Sequence, residues 1–212
     1  MTLQDQLDAI TSNTRALVQP ERLAIGENFV QGLLDSGIEQ KVFPVGAVAP
    51  SFELEDALTR KRVRSSDLLA VGPVVVKFFR GRWCPYCMTE LGSWQELYAR
   101  VRERGGLLVA ISPQLPRQND FTVQQRELTF PVLSDPGAKV AEQFGVAYTV
   151  PEFMQRHYRS ILVNIPFVNG EESWRLPLPA VFVVGQDGIV RYAEAHADFR
   201  VRAEPEDVLA AL

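Results

Sequence analysis

The stretch that decides the fold of this chain reads Val74-Val75-Val76-Lys77-Phe78-Phe79-Arg80-Gly81-Arg82-Trp83-Cys84-Pro85-Tyr86-Cys87. Its first six residues are mostly β-branched or aromatic, which is typical of a strand buried on both faces of a parallel sheet. Gly81 permits a tight turn, and Pro85 suits the first turn of a helix, where a backbone N–H is not needed. We therefore predict a buried strand, a short turn and a helix that begins at the cysteine pair.

The helix that follows this turn is predicted to be amphipathic and to end at Gly105-Gly106. Its apolar residues recur at spacings of three and four; they are Leu91, Trp94, Leu97, Tyr98 and Val101. Cys84 is thereby placed at the helix N-terminus, where the helix dipole and free backbone N–H groups favour a thiolate over a thiol. Arg80 and Arg82 act in the same direction if they face the sulfur. We predict that one of the two thiols, with Cys84 as the first candidate, has a pKa below that of a free cysteine.

Composition and charge exclude several classes of function. The 212 residues have a net charge of −4 and no basic run, which argues against nucleic acid as a partner. No apolar stretch approaches the roughly 20 residues of a membrane span, and the polar residues 1–8 do not form a signal peptide. We therefore expect a cytoplasmic protein that does not bind membranes. In a reducing compartment, a close cysteine pair indicates redox or metal chemistry rather than a structural disulfide.

The sequence favours redox chemistry over a metal site. A zinc site needs about four ligands, and besides Cys84 and Cys87 only His157 and His196 are available. Two inert structural cysteines seldom fall at this spacing on a helix start. We therefore predict that both cysteines are catalytic, and that no metal and no cofactor is required.

The chain divides into two predicted segments. Residues 1–44 have the pattern of two helices, the second starting at Pro20 and stopping at Gly37, and form an N-terminal helical arm. An exposed amphipathic face needs cover, so the arm either packs on its own domain or joins a homodimer. Residues 45–212 alternate strands with helices, which indicates an α/β domain. Residues 146–178 interrupt that alternation. They are either an insertion that folds over the sheet edge near the active site or an ordinary packed segment with its own small cluster.

The end of the chain indicates the thioredoxin fold, a central mixed sheet flanked by helices. Residues 74–79 and 107–111 are expected to be parallel neighbours, and residues 181–184 and 189–193 to form an antiparallel hairpin around an Asp-Gly turn. In that fold a proline before the hairpin follows a cis peptide bond and lies against the cysteine pair. Pro179 is the first candidate, and Pro177 is the second.

Two further segments resemble the peroxiredoxin family, also called alkyl hydroperoxide reductase/thiol-specific antioxidant. Residues 46–54, Gly-Ala-Val-Ala-Pro-Ser-Phe-Glu-Leu, are similar to that family's Gly-x-x-Ala-Pro-x-Phe-x-Leu strand. Residues 130–146 are similar to its Phe-Pro-x-Leu-Ser-Asp-Pro…Phe-Gly-Val segment. The resemblance extends from about residue 45 to the end of the chain. It implies an antioxidant peroxidase that reduces a hydroperoxide and is regenerated by thioredoxin, glutathione or a similar thiol.

The site itself departs from the family pattern Pro-x-x-x-Thr/Ser-x-x-Cys. Aligned without gaps from the end of the strand, the family's proline falls on Arg80, its threonine on Cys84 and its peroxide-attacking cysteine on Cys87. The family's arginine before the last hairpin is replaced by Pro179. The motif Cys-Pro-Tyr-Cys instead resembles the motif of dithiol glutaredoxins. The Trp-Cys pair formed by Trp83 and the first cysteine resembles that of thioredoxins.

The two resemblances give the cysteines different roles. As in thioredoxin, Cys84 would be the nucleophile and Cys87 would resolve the mixed disulfide. As in a peroxiredoxin, Cys87 would become a sulfenic acid and Cys84 would condense with it. Three functions therefore stay open: a peroxidase, an oxidoreductase that acts on protein or glutathione disulfides, and a redox-sensing module that switches the contacts of the arm.

Several neighbouring side chains are expected to support the two cysteines. Trp83 is expected to form a wall beside the thiol, and Tyr86 to face the substrate. Glu90 matches a glutamate near the peroxiredoxin cysteine, where it would orient backbone or an arginine. The full set of supporting residues is Trp83, Pro85, Tyr86, Arg80, Arg82, Pro179 and Glu90.

Overall fold

The computed structural model describes residues 2–212, which form one seven-stranded sheet, one two-stranded sheet and flanking helices. The strands are β1 (Glu53–Asp56), β2 (Arg62–Arg64), β3 (Val74–Phe78), β4 (Leu107–Ser112), β5 (Val132–Ser134), β6 (Ala147–Thr149), β7 (Arg175–Pro177), β8 (Ala180–Val184) and β9 (Val190–Ala195). The helices are α1 (Leu3–Leu17), α2 (Pro20–Asp35), α3 (Ser65–Leu69), α4 (Pro85–Glu103), α5 (Pro116–Arg126), α6 (Lys139–Gln143), α7 (Glu152–Ser160), α8 (Ile165–Asn169) and α9 (Pro205–Ala210). Short 3₁₀ turns span Ile38–Lys41 and Pro136–Ala138.

The main sheet has the strand order β2-β1-β5-β4-β3-β8-β9 and is mixed. The central strand β3 runs parallel to β4 and antiparallel to β8, and β8 pairs with β9 as an antiparallel hairpin. These pairings confirm the two strand predictions. The strands β6 and β7 of the predicted insertion form the separate two-stranded sheet.

The strand β3 is buried on both faces, which explains its nearly continuous apolar sequence. Val74, Val76 and Phe78 point into one hydrophobic core, while Val75 points into the other. Because side chains alternate along a strand, helices must cover the sheet on both sides. The one charged residue of β3, Lys77, is also buried.

The helix α4 begins as predicted, immediately after the strand that carries the site. Cys84 is its N-cap residue with an extended backbone, and Pro85 is its first residue. After α4 ends, Gly105 has a φ of 74°, a conformation that glycine adopts without strain. The strand and the turn therefore place both cysteines at one end of the sheet.

The N-terminal arm packs on its own chain. Leu3 and Leu7 of α1 are buried in the core that contains α4, and Phe29 and Leu33 of α2 are buried in the opposite core. The apolar faces that suggested a dimer are thus covered within one chain. The homodimer and the division at residue 44 stay predictions. Among residues 2–212, no helix is both long enough and apolar enough to cross a membrane.

The predicted cis peptide bond is wrong. Every described peptide bond is trans, including those before Pro177 and Pro179. The chain passes from β7 into β8 through a bend at Pro179. The Leu178 N–H donates to the Val146 carbonyl at 2.7 Å, and the Pro179 carbonyl accepts from the His196 N–H at 3.3 Å. The thioredoxin-like assignment therefore depends on the sheet order, not on the proline.

Candidate active site

Both cysteines are free thiols inside the protein, but they occupy different places. Cys84 is 1% exposed and lines a cavity, whereas Cys87 is fully buried one helical turn further in. The Cys84 thiol donates a hydrogen bond to the Cys87 sulfur. The pair is therefore arranged as one sulfur facing the cavity and one sulfur shielded behind it.

Positive charge is concentrated around Cys87. Nη2 of Arg202 lies 3.7 Å from the Cys87 sulfur, and the backbone N–H of Arg80 donates to the same sulfur. Burial raises the pKa of Cys87, but the hydrogen bond from Cys84 and the charges of Arg202 and Arg80 together lower it to about 5. Cys87 is consequently a thiolate at neutral pH.

The prediction that Cys84 has the lowered pKa is wrong. Burial raises the pKa of Cys84, and the hydrogen bond to the Cys87 thiolate and its negative charge raise it further, against the pull of Arg80 and Arg202. The helix N-terminus does not offset these effects, because the guanidinium group of Arg202 contacts the Cys87 sulfur and not the Cys84 sulfur. Cys84 therefore holds the proton that the pair shares.

We expect a single thiolate in the reduced protein at pH 7. An ultraviolet titration of thiolate absorbance should show one inflection near pH 5 in the wild type. This inflection should vanish in Cys87→Ser and persist in Cys84→Ser, where the serine hydroxyl still donates to the thiolate. An inflection that vanishes only in Cys84→Ser would contradict the assignment.

A buried group of three charged side chains supports the thiolate. Glu90 lies between Lys77 and Arg202, with its two oxygens 2.7 Å from Nζ of Lys77 and 2.5 Å from Nε of Arg202. All three side chains are at most 2% exposed. Burial lowers the pKa of Lys77 although Glu90 opposes this shift. Glu90 therefore contacts the same arginine that lies beside the Cys87 sulfur.

The guanidinium group of Arg80 lies beside the cysteines with unused donors. It is packed between the rings of Trp83 and Phe199, at 4.8 Å and 4.3 Å from their centroids. Its Nη2 donates to the Tyr158 hydroxyl at 2.9 Å, while Nε and Nη1 are buried without a partner in the described residues. A buried charged donor left unpaired is costly, so this group is suited to bind an oxygen of a ligand.

The cavity that Cys84 lines has a volume of about 300 Å³ and a mostly apolar surface. Four parts of the chain line it: α1 and α2 of the arm, the turn before α4 with the first residues of that helix, the segment around α7, and residues 199–200. The α7 helix belongs to the predicted insertion, which therefore does reach the active site. Tyr158 of α7 lines the cavity, and burial raises its pKa to about 12 although Arg80 opposes this, so it stays a neutral phenol.

The structure brings most of the predicted supporting residues to the cysteines. Trp83, Pro85 and Tyr86 line the cavity next to Cys84. Tyr86 also forms a 3.1 Å hydrogen bond between its hydroxyl and that of Thr11 in the arm. Trp83 lies in the loop before α4, and Pro85 and Tyr86 lie in the first turn of that helix. Their positions therefore follow from local features of the sequence.

Two predicted supporting residues lie elsewhere. The Arg82 side chain is exposed and turns away from the sulfurs, because its Nε donates to the Gln118 side chain at 2.9 Å and its guanidinium packs over Phe121. Its backbone N–H donates to Gln114, so it anchors the turn to the neighbouring loop. Pro179 has no described contact with either cysteine and does not line the cavity.

Three functional residues were not identified from the sequence. Lys77 had a signal, since it is the one charged residue in an otherwise apolar strand. Arg202 and Tyr158 had none, because each looks like an ordinary polar or aromatic residue in its own segment. Arg202 brings a guanidinium to Cys87 from the C-terminal segment.

Comparison with known proteins identifies two groups of relatives. The profile of the AhpC/TSA family matches residues 45–193. The thiol-disulfide oxidoreductase ResA of Oceanobacillus iheyensis is 31% identical over 112 residues, or 51% of this chain, and the match spans only 57% of that relative. The putative peroxiredoxin bcp of Haemophilus influenzae is 33% identical over 117 residues, 55% of this chain and 74% of that protein. The crystal structure of peroxidoxin BcpB from Mycobacterium tuberculosis has a TM-score of 0.61 at 25% identity, covering 80% of this chain and 96% of that one.

These matches agree with the geometry of the site. The family profile covers the strand β3, the cysteine pair and most of the hairpin that closes the sheet. The arm and the segment with Arg202 lie outside it. The chain therefore belongs to the AhpC/TSA family and is a peroxiredoxin-like, thiol-based oxidoreductase with a thioredoxin-like fold.

Proposed function

We propose that the protein is a thiol-dependent peroxide reductase that cycles Cys84 and Cys87 between a dithiol and a disulfide. The observation that supports this most strongly is the Cys87 thiolate, held by Arg202 and by the backbone of Arg80. Cys87 also aligns with the position of the family's peroxide-attacking cysteine. Thiolates, not thiols, attack peroxides.

In the first step, the Cys87 thiolate attacks one oxygen of the hydroperoxide. An S–O bond forms, the O–O bond breaks, and the departing alkoxide or hydroxide takes a proton to become an alcohol or water. Cys87 is oxidised to a sulfenic acid, and the peroxide is reduced. Arg80 supports this step, since its free Nε and Nη1 are donors for the developing negative charge on the leaving oxygen.

In the second step, Cys84 condenses with the sulfenic acid. Its sulfur forms the S–S bond, the S–O bond of Cys87 breaks, and hydroxide leaves with the Cys84 proton as water. The sulfurs are already joined by a hydrogen bond, so little movement is needed. Two electrons from external thiols then restore the dithiol. The resemblance leaves thioredoxin, glutathione or a similar thiol open as the donor, and we expect the cycle to run in the cytoplasm, where thiols are kept reduced.

A second candidate function is thiol-disulfide exchange with an external disulfide. It is favoured by one observation: Cys84, not Cys87, is the sulfur that lines the cavity. In that reaction Cys84 attacks after passing its proton to Cys87, and Cys87 then resolves the mixed disulfide. A peroxide must instead reach Cys87 past Cys84, which requires a small substrate.

Parallel reactions of the reduced full-length protein separate these functions. One equivalent of hydrogen peroxide, or of oxidised glutathione, is mixed with the protein, and the products are alkylated and identified by mass spectrometry. We expect peroxide to give the Cys84–Cys87 disulfide faster than free cysteine reacts, by at least about 30-fold at pH 7 from the thiolate fraction alone. The Cys84→Ala/Cys87→Ala protein is the control. Faster oxidation by the disulfide than by peroxide would favour the second candidate.

A further inference from the structure

The arm forms one wall of the cavity that leads to Cys84. From α1 and the residue that follows it, the arm contributes Thr11, Thr14, Arg15 and Val18, and from α2 it contributes Arg22, Leu23, Gly26 and Glu27. In each helix these residues recur at spacings of three and four, so each helix turns one face to the cavity. Since Cys84 is 1% exposed, a reagent reaches its sulfur through a space that the arm helps to enclose.

The arm is firmly attached at this place. Leu3 and Leu7 are buried in the same core as the cysteines, and the hydroxyl of Thr11 is bonded to that of Tyr86 at 3.1 Å. The Gln4 side chain and backbone also contact Arg200 and Glu204, at 3.4 Å and 3.3 Å. The wall is thus continuous with the packed interior of the domain.

From this geometry we infer that the disulfide is reduced by an acidic thiol of low molecular weight, and that the arm excludes a thioredoxin-type protein from Cys84. This inference rests on the proposed function, because it concerns the second half of the same cycle. Exchange requires the two sulfurs to approach to about 2 Å. A thiol fixed on a folded domain cannot approach so closely while α1 and α2 enclose the cavity, whereas a cavity of about 300 Å³ accepts a small ligand.

The charge of the cavity selects an acidic ligand. Its lining contains four arginines, Arg15, Arg22, Arg80 and Arg200, and one carboxylate, Glu27. Glu27 pairs with Arg15 and Arg200, and Asp198 also pairs with Arg200, so these two arginines are neutralised. Arg22 and Arg80 have no acidic partner among residues 2–212. The cavity is therefore positive although the whole chain has a net charge of −4. Such a local field attracts anions.

The chemistry of the pair favours attack at Cys84. The external thiolate bonds to the Cys84 sulfur, the Cys84–Cys87 bond breaks, and Cys87 leaves as a thiolate. A thiol of low pKa is the better leaving group, and the pKa of Cys87 is lowered to about 5. A second external thiolate then attacks the mixed disulfide, which releases the oxidised small molecule and returns Cys84 as a thiol.

Reduction kinetics test this inference without using the peroxidase reaction. The Cys84–Cys87 disulfide is prepared in the full-length protein with diamide and verified by mass spectrometry. Its reduction is then followed with glutathione, with the cationic thiol cysteamine and with reduced thioredoxin. At equal thiolate concentration, we expect glutathione to react about tenfold faster than cysteamine, consistent with electrostatic steering, and thioredoxin to react no faster than glutathione.

Gly26 offers a variant that fills the cavity. A Cβ atom at Gly26 would meet no atom within 4 Å, and the same holds for Gly32, which lies on α2 outside the cavity lining. Gly26→Phe should lower the rate with glutathione about tenfold or more, as expected for a blocked site, whereas Gly32→Phe should leave it unchanged. Arg22→Glu should reverse the preference for glutathione over cysteamine, and it places an acidic residue favourably near the N-terminus of α2.

Two outcomes would overturn the inference. The first is faster reduction by thioredoxin than by glutathione in the wild type, and the second is equal rates in Gly26→Phe and Gly32→Phe. Failure of peroxide to oxidise the protein would instead contradict the proposed peroxidase. Because diamide generates the disulfide, the two failures are distinguishable.

Discussion

Replacing Cys87 by serine is expected to abolish the fast reaction with hydroperoxide. The second-order rate constant should fall by at least about a thousandfold, because a serine hydroxyl is not ionised at neutral pH and is not oxidised by peroxide. The Cys84 thiol remains but has a raised pKa and loses the neighbouring thiolate. Stopped-flow measurement of peroxide consumption under single-turnover conditions provides the rate.

The matched variant is Cys84→Ser. It keeps the Cys87 thiolate and its contact with Arg202, and it creates the Ser-x-x-Cys spacing of the family. We expect it to react with peroxide at a rate within about tenfold of the wild type, since a hydroxyl still donates to the thiolate. The reaction should stop at a sulfenic acid on Cys87, which a dimedone adduct identifies by mass spectrometry.

The opposite pattern would support disulfide exchange. In that case Cys87→Ser would trap a mixed disulfide through Cys84, and Cys84→Ser would be inactive with peroxide and with a model disulfide. Absence of a sulfenic acid on Cys87 in the Cys84→Ser protein would count against the peroxidase. This comparison is decisive because access from the cavity favours reaction at Cys84, whereas ionisation favours reaction at Cys87.

Replacing Arg202 by methionine is expected to raise the pKa of Cys87 and slow the peroxide reaction. The substitution removes the guanidinium 3.7 Å from the sulfur and leaves Glu90 paired only with Lys77. If the pKa returned to that of a free thiol, the thiolate fraction at pH 7 alone would reduce the rate about 30-fold. Breaking a buried ion pair should also lower the free energy of unfolding by about 3–5 kcal/mol.

The pH dependence separates the electrostatic effect from lost stability. The wild-type rate should be nearly constant above pH 6, because the Cys87 pKa is about 5. In Arg202→Met the rate should rise with pH and approach the wild-type value in alkaline solution. Arg202→Lys should restore part of the rate at pH 7, and Arg82→Met, which removes an arginine that contacts Gln118 instead, is the control. If the rate of Arg202→Met were reduced by the same factor at all pH values, Arg202 would have only a structural role.

The sequence by itself determined the local architecture of the site. The strand β3, the turn at Gly81 and a helix starting at Pro85 follow from side-chain pattern and turn chemistry within about a dozen residues. The parallel neighbour of β3 and the closing hairpin were also predicted correctly, because alternating elements and an Asp-Gly turn restrict the topology. The motifs before and after the site were sufficient to indicate the family.

Only the tertiary structure decided which sulfur is ionised. A pKa depends on charges within a few ångströms, and the charge that matters here comes from Arg202, which is 115 positions from Cys87 in the chain. The helix N-terminus predicted a thiolate at Cys84, but burial and the long-range contact assign it to Cys87. The same reason explains the arm beside Cys84: it depends on segments distant in sequence that pack together only in the folded chain.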